Sequence, residues 1–172
     1  MIYPMHYIRN WGSFTSNDVW KLQEISNKKF DLVQRILLID LGNTQQLLEA
    51  IYNTETKIRV IAQIEGKNII NRRTCIVSLS NNILAYANSK IYWRKIPHSV
   101  LDEIRQRKVG IGKIFLYHGL EIFKKITEIG YVPDRHIFKN YSLYHKDNLI
   151  CKINEMFPLL RNKLDPTNCD DH

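Results

Sequence analysis

Residues 149–158 read LICKINEMFP. Read as a strand, the stretch alternates its side chains between two faces, and Leu149, Cys151, Ile153, Glu155 and Phe157 share one of them. Four of these are apolar and the fifth is a carboxylate. A charge on a core-facing stripe is costly unless it is paired or hydrogen-bonded. Either a partner waits inside the fold, or the register differs and Glu155 points to water.

Working outward, FKNYSLYH (138–145) precedes the strand, and the turn residues of KDN join the two as a hairpin. A second hairpin is expected in IINRRTCIVSLSNNILAYANSKIYW (69–93), two β runs joined by LSNN. In KIRVIAQI (57–64), Ile58, Val60, Ala62 and Ile64 alternate as in a strand. Helices are expected in SFTSNDVWKLQEIS (13–26) with Ser and Asn caps, in NTQQLLEAIYN (43–53) capped by Asn43 or Thr44, and in HSVLDEIRQRK (98–108) after Pro97. QRILLID (34–40) suits a strand or a buried turn of helix, and GIGKIFLYHGLEIFKKITEIG (110–130) a short helix in its second half. Two hairpins, one more strand and interspersed helices make an α+β layout with a mainly antiparallel sheet.

At 172 residues and 44% hydrophobic content, the chain suits one domain spanning 1–172, with a core over about 17–160 and loosely ordered ends. A net charge of +8 favours anionic partners without choosing among them. Cys75, Cys151 and Cys169 are too few and too scattered for a disulfide framework or a zinc site. The N-terminus lacks a continuous apolar signal segment, and no run reaches a membrane span. Zinc-protease, phosphate-loop and serine-hydrolase signatures are all missing. YVPDRHIFKNYSLYHK mixes aromatic and basic residues, but its aromatics suit hairpin packing better than nucleic-acid binding.

Glu155 has a candidate partner in the other hairpin. Arg73 shares a face with Ile69, Asn71, Cys75 and Val77; its neighbour Arg72 shares the opposite face with Ile70, Thr74 and Ile76, so alternation does not choose between them. An Arg and a Glu on the concave side of one sheet could bracket an anionic, hydroxylated ligand: the guanidinium fork matches a carboxylate and the Glu accepts from a hydroxyl. An ordinary ion pair answers the same pattern. The glycines flanking Ile111 imply close backbone approach or positive φ, serving either a pocket wall or a tight turn.

The segments LGNTQQLLEAI, RRTCIVSLSNNILAYANSKI, VGIGKIF, FKKITEIG and LICKINEMFP, in that order, resemble the chorismate lyase (chorismate pyruvate-lyase) superfamily over about Gln34 to Pro158, particularly the branch that includes plastid-encoded and cyanobacterial members. The resemblance implies a six-stranded antiparallel sheet with helices on one side, enclosing a ligand pocket. It implies cleavage of chorismate to 4-hydroxybenzoate and pyruvate without a cofactor, and a small-molecule partner rather than a membrane or nucleic acid. Transferred by position, the catalytic Glu falls on Glu155 and the ligand-binding Arg on Arg73, or on Arg72 if the hairpin turn is one residue longer. Further substrate contacts fall on Tyr86 through its backbone, on Ile111, on Thr44 and on Lys124. The branch implies a plastid stroma, or the cytoplasm of a bacterium. Two departures stand out: DLGNT where the family often has DGSxT, and Lys124 and Lys125 where it often has Arg. The fold also serves as a ligand-binding module without catalysis, and that alternative is retained.

Overall fold

The computed structural model describes residues 5–10 and 13–159. The expectation for the C-terminal tail, and Cys169 with it, lies outside the described residues. Seven strands form one antiparallel sheet in the order β1-β5-β6-β7-β4-β3-β2. They are β1 (His6–Arg9), β2 (Thr56–Glu65), β3 (Ile70–Ser78), β4 (Ile83–Ile91), β5 (Phe123–Val132), β6 (His136–His145) and β7 (Asn148–Pro158). The helices are α1 (Ser16–Ser26), α2 (Leu32–Ile39), α3 (Thr44–Tyr52), α4 (His98–Arg105) and α5 (Ile111–Tyr117). The α+β class and the antiparallel sheet hold. The strand number does not: there are seven strands rather than six. The added strand, β1, lies within the N-terminal stretch expected to be loose. It is tied to the sheet edge by pairing with β5 and by an ion pair between Arg9 and Glu128.

Local chemistry explains the helix starts. Thr15 and Asp18 form a capping box at α1, and Asp31 and Gln34 form one at α2, which resolves QRILLID as helix. Asn43 caps α3, its side chain accepting from the N–H groups of Gln45 and Gln46.

In residues 110–130 the expected order is reversed. The helix α5 occupies the first half, and the second half is strand β5. A bulge between Ile126 and Glu128 explains the misreading. It brings Ile126 and Ile129, three residues apart, into the same core, a spacing that looks helical in sequence. Gly130, which closes FKKITEIG, is there for space: a Cβ would stand 2.2 Å from the Phe138 ring and 2.9 Å from the His6 carbonyl oxygen. The ring of Phe138 and strand β1 both need that gap.

Strand residues including Ile70, Ile76, Ile91, Ile126, Tyr141 and Ile153 share one hydrophobic core with Leu22, Leu38, Leu48, Leu101 and Ile114 of the helices. On the other face, Asn71, Arg73, Asn88, Lys90 and Lys152 are exposed.

Candidate functional site

The inner face of the sheet carries a cavity of about 440 Å³. Register builds its floor. On β7, Glu155 lies opposite Ala87 of β4 on one side and Lys139 of β6 on the other. Tyr141, two residues along β6, projects to the same face and its hydroxyl reaches the carboxylate diagonally. Ala87 and Ser89 are small, which leaves volume above β4, and both line the cavity. Ile111 and Phe115 of α5 close it from the helix side.

Glu155 is 6% exposed, and all its interactions are internal. Tyr141 donates to one carboxylate oxygen at 2.7 Å, and Thr44 donates to the other at 2.9 Å. The Lys139 ammonium lies 3.6 Å from the same oxygen that Thr44 reaches. Lys139 is fully buried; it also donates to the Asp40 carbonyl at 3.2 Å and faces the Asp40 carboxylate at 3.9 Å. Lys124 donates to the Gly42 carbonyl at 3.0 Å and stands 4.3 Å over the Tyr141 ring. The loop 40–43 is therefore fastened to the sheet through its carbonyl oxygens. Its last residue, Asn43, sets α3 so that Thr44 faces Glu155.

These environments move proton affinities. Burial is the main reason the Lys124 ammonium falls to about 8, with nearby Lys139 adding to the effect and Glu155 and Asp40 opposing it. Burial, then the Glu155 charge, raises the Tyr141 phenol well above its ordinary value. Tyr141 therefore stays a donor to Glu155 throughout the neutral range.

Of the two arginines, Arg72 takes the inner face and Arg73 the outer one. Arg73 is exposed and pairs in register with Asn88 and Ala62, so the expectation that it faces inward with Glu155 is corrected. The cation beside Glu155 is Lys139 rather than either arginine. Arg72 is 1% exposed, on the same strand face as the cavity-lining Thr74 and Ile76 and directly opposite the cavity-lining Ser89. One terminal nitrogen donates to the Val109 carbonyl at 2.6 Å, while Nε and Nη1 have no hydrogen-bond partner. Burial, reinforced by Arg107, brings this guanidinium down to about 10. The adjacent Cys151 does not neutralise it, because burial raises that thiol and keeps it protonated.

The remaining expected contacts divide. Thr44, Ile111 and Lys124 line the cavity together with Glu155. Tyr86 does not line it: it lies opposite Cys75 and Met156, and the cavity-lining residues of β4 are Ala87 and Ser89. The glycines around Ile111 serve close approach. A Cβ on Gly110 would stand 3.1 Å from Ile58, and one on Gly112 would stand 3.3 Å from the Asn43 amide. They let the start of α5 press against β2 and the α3 cap. Lys139, Tyr141 and Asp40 were missed by the sequence reading. The signal for two of them was present, since Lys139 and Tyr141 share one stripe of IFKNYSLYH (137–145) with Ile137 and Leu143, as Glu155 does with apolar residues in its own strand.

The site thus joins a carboxylate hydrogen-bonded at both oxygens and a lysine of reduced basicity, with a buried guanidinium close by that does not itself line the cavity. An acidic ligand with a hydroxyl group matches that set of charges and donors. Among solved structures, the effector domain of PhnF from Mycobacterium smegmatis is similar, with a TM-score of 0.51 and 9% identity, over 69% of this chain and 90% of that one. At that identity the likeness concerns the fold alone. No curated protein matches the chain. Residues 38–164, well over half of the sequence, match the family model described as chorismate pyruvate-lyase Rv2949c-like. They include every residue of the cavity floor, and the chain belongs to that family.

Proposed function

We propose that the protein is a chorismate pyruvate-lyase-type enzyme, converting chorismate to 4-hydroxybenzoate and pyruvate. The observation that carries this reading is the buried Glu155 carboxylate, held by Tyr141, Thr44 and Lys139 on the floor of a cavity that Lys124 also lines. The reaction removes a ring proton, breaks the ring carbon–oxygen bond to the enolpyruvyl group as the ring becomes aromatic, and adds a proton to the methylene carbon of the departing enolpyruvate, which becomes pyruvate. It is neutral in electrons, and its demands on the protein are chiefly positioning and electrostatics.

Chorismate carries two carboxylates. The Lys124 ammonium lines the cavity and is suited to hold one of them, while Arg72, buried beside the cavity-lining Ser89, adds positive potential from behind the wall. Glu155 accepts from the ring hydroxyl and fixes the ring against Ile111 and Ile153. Lys139 holds Glu155 in place as a positioning residue. Arg73 and Tyr86 take no part in this scheme, because both belong to the outer face. The resemblance to a plastid-encoded branch supports a plastid stroma as the compartment. No helix among the described residues is long and apolar enough to cross a membrane.

The test is incubation of the purified protein with chorismate, following 4-hydroxybenzoate and pyruvate by chromatography. Wild type should form both in equal amounts. Glu155→Ala should lose at least ~100-fold in kcat/KM while remaining folded by circular dichroism. Binding of 4-hydroxybenzoate with chorismate left intact would instead make the protein a binding module for an aromatic carboxylate.

A further inference from the structure

The outer face of the sheet holds a second groove of about 510 Å³. Its walls include Lys90 of β4 and Lys152 of β7, and its floor includes Ser142 of β6. Register places Lys90 directly opposite Lys152, Lys152 opposite Ser142, and Ser142 opposite Lys125 of β5. One row across four adjacent strands is thus Lys, Lys, Ser, Lys. Strands lie roughly 4.8 Å apart, so these lysines spring from neighbouring backbone positions, and directly opposed like charges destabilise a sheet.

Among the described residues, none of these three lysines has an ion-pair partner. Ser142 is 5% exposed, yet its hydroxyl makes no hydrogen bond to another described residue. The Ser142 hydroxyl is not sealed from solvent, so this donor opens onto the groove. In register it stands between Lys152 and Lys125.

The neighbouring row limits what fits. Asn154 donates to Asn140 at 2.6 Å, and Asn140 donates to Glu128 at 2.8 Å. Glu128 is in turn paired with Arg9. This chain of side chains ends the groove in the Arg9–Glu128 ion pair, whose charges already satisfy each other and offer little to an anion extending past it. The space suits a compact, multiply charged oxyanion rather than a long polyanion.

We propose that this groove is a second binding site, for a phosphoryl-class oxyanion such as a diphosphate or a small phosphorylated metabolite. Lys90 and Lys152 supply the charge, Lys125 adds to it from the far side, and the Ser142 hydroxyl donates to a phosphoryl oxygen. The site is independent of the inner cavity, whose lysines point to the opposite face.

The test uses the full chain and sodium pyrophosphate, titrated calorimetrically at constant ionic strength, with inorganic phosphate in a second arm. Saturable one-to-one binding of pyrophosphate is expected, with a rise in melting temperature. Lys90→Gln/Lys152→Gln should weaken binding at least tenfold and Ser142→Ala severalfold. Lys146→Gln, in the β6–β7 turn, should bind as wild type. Circular dichroism melts confirm that each variant is folded. Ser142→Ala, which removes one oxygen, provides the reading if the double variant fails to fold. No saturable binding at millimolar pyrophosphate would overturn the proposal, as would binding unchanged in both the double variant and Ser142→Ala. Single-stranded oligonucleotides that bind ever more tightly with length, and displace pyrophosphate, would also overturn it in favour of an extended nucleic-acid surface.

Discussion

Strands β6 and β7 carry two chemistries one residue apart. Inward, Lys139, Tyr141 and Glu155 are buried, and every charge has a partner. Outward, Ser142 and Lys152 leave donors and charge unpaired beside an open groove. The backbone is the same; only the alternation differs. An ammonium in water needs no partner, whereas one removed from water must find a counter-charge or lose its proton. The inner face therefore had to assemble a network, while the outer face could keep its lysines free for something to bind. Arg72 is the inward exception: buried, with two of its nitrogens unpartnered.

The largest predicted effect strikes the inner network. Lys139→Met leaves Glu155 buried with only two hydroxyl donors, and should cost about 3–5 kcal/mol in urea unfolding. Adding Glu155→Leu to that variant removes the second charge and should restore most of the loss, since paired apolar replacements of buried ions are often neutral. If Lys139→Met alone unfolds like wild type, the buried pair is not what holds β6 to β7 at this point.

Next comes a pH dependence. Lys124 binds its proton with a pKa of about 8 when folded against 10.5 as the ordinary value. Between those values the unfolded chain keeps a proton that the folded chain has released, so stability rises with pH across that window. Below about 8 the full cost of burying the charge is present; above 10.5 it is gone. The gain is on the order of 3 kcal/mol. Lys124→Met should abolish that rise, visible as converging urea midpoints for wild type and variant between pH 8 and 10.5. Parallel curves would show that Lys124 is solvated in the folded state.

Arg72→Met should behave in the opposite way to Lys139→Met. It removes a buried cation whose N–H groups are incompletely satisfied, and its thermal stability should change by less than about 1 kcal/mol or improve. Affinity for an aromatic carboxylate should nevertheless fall severalfold, because positive charge beside the cavity is lost, measured by titration with 4-hydroxybenzoate. A large destabilisation with unchanged affinity would make Arg72 a structural residue bound to the Val109 loop.

Much of this was legible in the sequence, and the exceptions have physical causes. Both hairpins and the charged residue in LICKINEMFP follow from alternation and turn residues. The choice between Arg72 and Arg73 does not, because both share a strand with equally apolar stripes, and only the register with Ser89 separates them. The partner of Glu155 was sought in another hairpin when it lay in its own, as Lys139, directly opposite. A β-bulge hid β5 behind a helical spacing of isoleucines. Strand β1 went unseen because four residues at an edge carry too short a pattern, and its place depends on contacts more than a hundred residues away.

The smallest predicted effect is the sharpest control on the two-faced comparison. Lys152→Met makes the same chemical change as Lys139→Met, on the strand next to it. Lys152 is exposed and has no ion-pair partner among the described residues, so nothing buried is left behind when it goes. Its removal also relieves repulsion from Lys90, directly opposite. In low salt the variant should therefore match wild type within about 0.5 kcal/mol, or be slightly more stable. Added salt should shrink even that gain, because it screens exposed charges. Raising the salt should leave the Lys139→Met deficit nearly unchanged, since its pair is buried. A salt series on the two variants thus separates the faces. Equal losses in both would mean that the outer lysines are held in contacts as specific as the inner ones.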